Sequence, residues 1–169
     1  MNIAILSNGN ANYSTLRLKE EAEKHGHQVK IIKYKNCYVS IDEQHPKVIY
    51  RGKEIDNFDV FIPRIASYMT RYGTAVLRQL EMANPQAFFM NRSIAITRAR
   101  DKLRSTQLLA RAGVAIPKTV FSRNETDIDV LLDEIGGTPA IIKLARGTHG
   151  NGVVLAETIK AAKSVMQAF

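Results

Sequence analysis

Residues 139–153, PAIIKLARGTHGNGV, decide how the rest of the chain is read. The stretch opens on a short apolar run that carries one lysine, Lys143. A loop with Gly147, Gly150 and Gly152 follows, and then a second apolar run, VVLA at 153–156. Apolar runs bounded by glycines predict two strands joined by a flexible hairpin. Glycine lets a backbone approach a ligand closely and take positive φ. Successive exposed N–H groups in such a loop form a concavity for phosphate oxygens. A lysine at the edge of the same hairpin supplies a point charge for them. The stretch therefore reads as a nucleotide-phosphate grip. Its bland alternative is a loose surface hairpin whose lysine reaches out to water.

Composition narrows the classes around that hairpin. The chain has 169 residues, enough for one ordinary domain or two small ones, and 45% of them are hydrophobic, so a core is expected and global disorder is not. No apolar run approaches the roughly 18 residues of a membrane span, so no membrane partner is expected. The N-terminus MNIAILSNGN has neither a charged leading segment nor a long apolar core, which argues against a secretory signal. A single cysteine, Cys37, cannot form an internal disulfide, and it reads as a small, partly buried side chain. Together these features predict a cytoplasmic protein. The net charge of +8 is concentrated: residues 92–123 hold eight Lys/Arg and one acid, Asp101. That cluster points to an anionic partner, whether nucleotide, acidic peptide or nucleic acid; the alternative is a solvated helix face.

In chain order, the apolar run at 2–7 ends in the polar turn Ser7-Asn8-Gly9-Asn10 and reads as a strand. A helix is predicted over 13–25, with Leu16 and Ala22 as its apolar positions and Gly26 as its stop. Val29, Ile31 and Ile32 form the next strand. Strand, helix and strand in so short a span make a βαβ unit, hence a parallel sheet. The first turn is not G-x-G-x-x-G, which disfavours a nicotinamide dehydrogenase. Short β-prone pieces follow at 39–41 and 47–55, with a hairpin at Arg51-Gly52. A buried strand over 59–62 is cut off by Pro63. Arg64 comes next, at the carboxyl edge where open α/β sheets bind ligands, placed to clamp a carboxylate or simply to sit on the surface. A helix over 69–82 carries Ala75, Val76, Leu80 and Met82 at core spacing, and 87–90 gives a further strand. Residues 1–91 thus read as a small doubly wound α/β domain with a parallel sheet.

A second unit, 92–169, follows. Ser93 is a candidate cap for one continuous helix over 94–111, with Leu103, Leu108 and Leu109 toward a core and Gly113 as its stop. A strand is predicted over 114–121, a short helix over 127–135, then the hairpin, and a last helix over 158–169 with Ala161, Ala162, Val165 and Met166 at core spacing. Asp127, Asp129 and Asp133 read as one exposed helix face, and no pair of carboxylates has a credible metal spacing.

The words ARDKLRSTQLLARAG (99–113) and IIKLARGTHGNGVVLAE (141–157) resemble the ATP-grasp superfamily. The match is closer to its RimK branch, the alpha-L-glutamate ligases, which is also matched by AILS at 4–7, IPRI at 62–65 and YGTAVLRQLEM at 72–82. The resemblance spans the whole chain. It implies a pre-ATP-grasp α/β domain followed by the first α+β subdomain of an ATP-grasp fold. By position, Lys143 matches the strand lysine that contacts the nucleotide α- and β-phosphates. Gly147, Thr148, Gly150 and Gly152 match the loop that closes over the phosphates, and Lys102 matches the helix lysine that reaches toward the nucleotide. The family reaction uses ATP to phosphorylate a carboxylate, and an amine, here expected from glutamate, then displaces phosphate. In this branch the implied acceptor is the acidic C-terminal tail of a small-subunit ribosomal protein. Arg64 and Arg100 suit such acidic substrates, and a homo-oligomer is admitted. His149, at the loop tip, reads as solvent-exposed rather than as a base.

The resemblance also implies a further stretch of comparable size after Phe169, holding the adenine hinge and the acidic magnesium ligands. No complete catalytic set and no metal ligands are expected within 1–169, so this piece is expected to be inactive alone and to bind ATP weakly if at all. Two other readings stay open: a non-catalytic basic module that docks on ribosomal RNA or an acidic protein, and an ATP-grasp ligase for another amino acid or peptide. The basic cluster lacks interleaved aromatics, which argues against a base-stacking single-strand binder.

Overall fold

The computed structural model describes residues 1–9, 12–123, 127–144 and 152–168. The chain divides into two compact units, Met1–Arg98 and Ala99–Phe169. It is a mixed α/β fold: a unit built on a parallel sheet, followed by a smaller α+β unit built on an antiparallel hairpin.

The first unit is built on β1 (Asn2–Ser7), α1 (Tyr13–Lys24), β2 (Gln28–Lys33), β3 (Cys37–Ser40), β4 (Lys47–Tyr50), β5 (Lys53–Glu54), β6 (Val60–Arg64), α2 (Thr70–Ala83) and β7 (Phe88–Phe89). Four strands form a sheet in the order β2-β1-β6-β7, and every pairing in it is parallel. Alternation along β1 sends its residues to two faces. Ile3 and Ile5 pack with Ile62 against Leu18 and Ala22 of α1. Ala4 and Leu6 join Ile32, Phe61, Phe89 and the α2 residues Val76, Leu77 and Leu80 in the larger core. A helix on each face makes the sheet doubly wound, as the βαβ pattern predicts. The antiparallel ribbon β3-β4-β5 extends that larger core with Cys37, Val48 and Tyr50. Gln79 of α2 ties the ribbon down by donating to the Ser40 carbonyl at 3.0 Å.

Several local expectations change. The face α1 buries is Thr15, Leu18 and Ala22, while Leu16 lies exposed. On α2 the buried stripe is Val76, Leu77 and Leu80, while Ala75 and Met82 face outward. β6 runs through Pro63 to Arg64. Pairing with β7 stops at Phe61, so at Pro63 the strand has β1 as its one neighbour and the missing N–H is tolerated as on an edge.

The continuous helix expected over 94–111 is two helices, α3 (Ser93–Arg100) and α4 (Lys102–Arg111). Asp101 interrupts them in extended conformation, and its carboxylate accepts from the Arg104 N–H at 2.9 Å. A capping aspartate offers the backbone an alternative to continuing the helix, and here it prevails. The start of α3 is held from elsewhere: the Ser93 N–H and hydroxyl donate to the two oxygens of the Glu81 carboxylate at 2.6 and 2.8 Å.

In the second unit α4 is followed by α5 (Ile128–Ile135), β8 (Ala140–Lys143), β9 (Val153–Ala156) and α6 (Ile159–Ala168). β8 and β9 pair antiparallel. Ile128, Leu132, Ala140, Ala156 and Ala162 form the small core, with Ile135, Ile142 and Met166 at its edge. Lys163 of α6 reaches Asp129 of α5 at 2.7 Å. Ala161 is exposed and Val165 half-buried, so the packed positions of α6 are Ala162 and Met166. Leu108 and Leu109, expected in a core, are exposed. The strand expected over 114–121 does not form: no described strand pairs with it, Pro117 lacks a donor, and Val114 and Phe121 are exposed.

Candidate functional site

The hairpin β8–β9 carries Lys143 at the end of its first strand. Ala140 pairs with Ala156, Ile141 with Leu155, Ile142 with Val154 and Lys143 with Val153. The pleat therefore divides the hairpin into two faces. Ala140, Ile142, Val154 and Ala156 turn toward α5 and α6. Ile141, Lys143, Val153 and Leu155 share the opposite face, where Ile141 and Leu155 are 54% and 55% exposed. A two-stranded sheet thus presents an apolar surface with one lysine at the end of β8.

A second cation lies at that end. Lys102 is the first residue of α4, positioned by the Asp101 cap, and its Nζ lies 3.4 Å from the carbonyl oxygen of Leu144, the residue after Lys143. That distance is long for a hydrogen bond, so it locates the ammonium near the hairpin more than it fixes it. Two lysines, Lys143 and Lys102, therefore belong to one end of β8.

Gly152 closes the hairpin from the other strand. Its φ is +70°, its carbonyl accepts from the Leu144 N–H at 2.8 Å, and a Cβ there would meet Leu144 Cδ1 at 2.6 Å and Cγ at 2.9 Å. Position 152 needs glycine for conformation and for space at once. Gly147, Thr148, Gly150 and His149 lie outside the described residues.

In the first unit, Arg64 is the last residue of β6, at the carboxyl edge of the parallel sheet. Its guanidinium donates to the Ser14 hydroxyl of α1 at 2.6 Å. Tyr13, Ser14, Arg17, Leu18, Glu21 and Arg64 line an open depression there. Glu21 is already neutralised within it. Its carboxyl is held below the ordinary carboxylate range first by the hydrogen bond from Lys24 and then by Arg17. Arg100 ends α3 in an exposed position.

Ser14 is a functional candidate that sequence reading does not single out, since a serine in the first turn of a charged helix carries no motif. Its proximity to Arg64 follows from the β1–β6 pairing, which sets Ser7 beside Arg64. Cys37 is buried at 3% exposure and its thiol is pushed up to about 12 by desolvation, which removes it as a nucleophile. Among the described residues no three His, Cys, Asp or Glu side chains gather as a metal set, and no described helix is long and apolar enough to cross a membrane.

Two family descriptions match the chain in succession. The RimK PreATP-grasp domain covers residues 1–96, and the RimK-like ATP-grasp domain covers residues 99–169. A probable alpha-L-glutamate ligase of Hydrogenovibrio crunogenus is 53% identical over all 169 residues, which make up 56% of that protein. A protein of the same description from Thioalkalivibrio sulfidiphilus is 54% identical over the same span and the same share of its length. The chain therefore spans a little over half the length of these relatives. Among solved structures, a RimK domain ATP-grasp protein from Sphaerobacter thermophilus superposes with a TM-score of 0.68 at 19% identity, covering 99% of this chain and 58% of the other. D-alanyl-alanine synthetase A from Vibrio cholerae does so with a TM-score of 0.66 at 17% identity, covering 99% and 55%. At such identities these two likenesses speak to the fold.

Proposed function

Because the chain belongs to the RimK family of ATP-grasp proteins, we propose that it is part of an ATP-dependent carboxylate-amine ligase that joins glutamate to an acidic acceptor. The observation that carries this reading is the end of β8. Lys143 and Lys102 stand there beside a flat apolar face and a glycine whose conformation and close packing admit little else. A flat apolar face suits a purine ring, and paired cations suit its phosphates.

In the proposed reaction a carboxylate oxygen attacks the γ-phosphorus of ATP, the P–O bond to ADP breaks, and an acyl phosphate forms. The glutamate amine then attacks the acyl carbon, phosphate leaves with the C–O bond, and the lost amine proton passes to solvent. Lys143 and Lys102 neutralise charge on the phosphates as it shifts toward the leaving ADP. Gly152, with Gly147, Thr148 and Gly150, supplies backbone N–H groups over them. Arg64 and Arg100 are the candidate carboxylate contacts. Magnesium, if bound, would neutralise charge on the phosphates; among the described residues no three His, Cys, Asp or Glu side chains gather to hold it. We assign residues 1–91 to the pre-ATP-grasp domain and 92–169 to the first part of the ATP-grasp domain.

The acceptor we favour is the acidic C-terminal tail of a small-subunit ribosomal protein, in the cytoplasm. Ligation is tested with the full-length protein, ATP, magnesium, L-glutamate and a peptide ending in glutamate. Mass spectrometry is expected to show a peptide longer by one or more glutamates, with ADP formed. ADP formation without peptide growth, or growth without ATP, would contradict the proposal. The second reading, a basic module for ribosomal RNA, is favoured by the charge of residues 92–123; it predicts RNA binding that falls steeply with salt.

A further inference from the structure

We propose that Arg64, Ser14, Asn8 and Tyr68 form a subsite for the terminal glutamate of a substrate, gripping its carboxylate through Arg64 and its α-nitrogen through Asn8. The identity of the ligand rests on the ligase reading; the site itself rests on the first unit alone.

The geometry begins with the register of β1 and β6. Ser7 lies opposite Arg64 in the parallel pair, so Asn8 leaves β1 beside the point where the chain leaves β6. Neighbouring strands lie about 5 Å apart, which places both side chains at one carboxyl edge. Each is then held from a different element. Ser14 of α1 accepts from Arg64 Nη2 at 2.6 Å, and the Asn8 amide donates to the Tyr68 hydroxyl at 2.7 Å. Beneath them Ser7 and Thr15, both buried, bond to each other at 3.3 Å and fasten α1 to the end of β1.

Two groups in this arrangement have hydrogen-bonding capacity left over. The first is the guanidinium. Arg64 makes no ion pair among the described residues, and one hydroxyl engages one of its five N–H groups. The acids nearest in sequence on α1, Glu20 and Glu21, are taken by Arg17 and Lys24. The second is Asn8 Oδ1, a buried acceptor without a hydrogen-bond partner among the described residues. Such atoms are uncommon, and each asks for a donor. An unspent guanidinium and an unspent amide oxygen at one sheet edge match the carboxylate and the N–H of one amino acid. Tyr13 and Tyr68, 79% and 78% exposed, stand on the two segments that bear Ser14 and follow Arg64. Aromatic rings so placed on a parallel-sheet edge suit a binding surface better than a core.

A carboxylate with a nearby N–H is shared by two sources, free L-glutamate and the terminal residue of an acceptor peptide. Titration of the isotopically labelled chain, without nucleotide, separates them. Amide and arginine side-chain resonances are followed as L-glutamate, the dipeptide glutamyl-glutamate, or glutarate is added. Saturable shifts at Ser14, Arg64 and Tyr68 are expected with L-glutamate or the dipeptide. The tighter of the two names the source. Glutarate, which lacks the nitrogen, is expected to bind more weakly. Arg64→Lys, which loses the planar fork, is expected to weaken binding about tenfold. Ser14→Ala, a milder change that keeps the charge, is expected to weaken it less, and well-dispersed spectra verify that both variants fold. No saturable shift at these residues, or equal binding by Arg64→Lys, would overturn the site. Glutarate binding as tightly as L-glutamate would overturn the role of Asn8. Because no nucleotide is present, failure of the ligation assay leaves this outcome unaffected, and the reverse also holds.

Discussion

Gly152 shows what a single position carries in this fold. Its left-handed φ of +70° is unfavourable to any side chain, and the Leu144 side chain occupies the space a Cβ would take. Gly152→Ala is expected to destabilise the second unit by about 1–3 kcal/mol, read as a shift in the denaturant midpoint. The sequence marks position 152 as a loop glycine, but the Leu144 contact is invisible there because it depends on the pairing across the hairpin. Lys143 is the opposite case. A lysine inside an apolar run stands out in the sequence, and the strand period alone puts it on the face that α5 and α6 leave open. Cys37 gives a pH-dependent prediction. Its folded thiol stands at about 12 against an ordinary value of 9.0, because burial penalises the thiolate. In the unfolded chain the thiol ionises from its ordinary value, while in the folded chain it stays protonated. Its contribution to stability is therefore complete below pH 9.0 and declines as pH rises toward 12. Denaturant titrations across that interval are expected to show a shallower loss for Cys37→Ala than for the natural chain.

At the scale of elements, the parallel strands and their helices are largely legible. The alternation along β1 and the βαβ spacing predict a sheet covered on both faces, and Ile3 and Ile5 against Ala4 and Leu6 realise it. The second unit is less so. Helical periodicity runs unbroken from 94 to 111, yet Asp101 takes the capping conformation, and no pattern of apolar residues announces that choice. The expected strand at 114–121 has suitable residues and no described partner, and a strand exists through its pairing rather than its propensity. The Asp101 cap also sets where Lys102 begins its helix. Asp101→Ala is expected to cost about 0.5–2 kcal/mol, measured by thermal or chemical unfolding, while Asp101→Asn keeps most of the cap. An equal loss in both would show that the carboxylate charge, rather than the hydrogen bond to Arg104, holds the turn.

Across the whole molecule, the chain holds a parallel-sheet unit with a polar edge and a second unit with a cationic hairpin, within little more than half the length of its relatives. The family is legible because its words are spread over both units, from AILS at the start to VVLAE at the hairpin's second strand. The Arg64 edge is less so, since Asn8, Ser14 and Tyr68 come from three segments that only the fold assembles. The central claim is that the Lys143 hairpin grips the nucleotide. Its most direct measurement is the kcat/KM for ATP of the full-length protein and its Lys143→Ala variant in the glutamate-ligation assay. Lys143 is exposed, so the variant is expected to fold with unchanged stability while kcat/KM falls by about a hundredfold or more. A folded variant with unaltered kcat/KM for ATP would contradict the account.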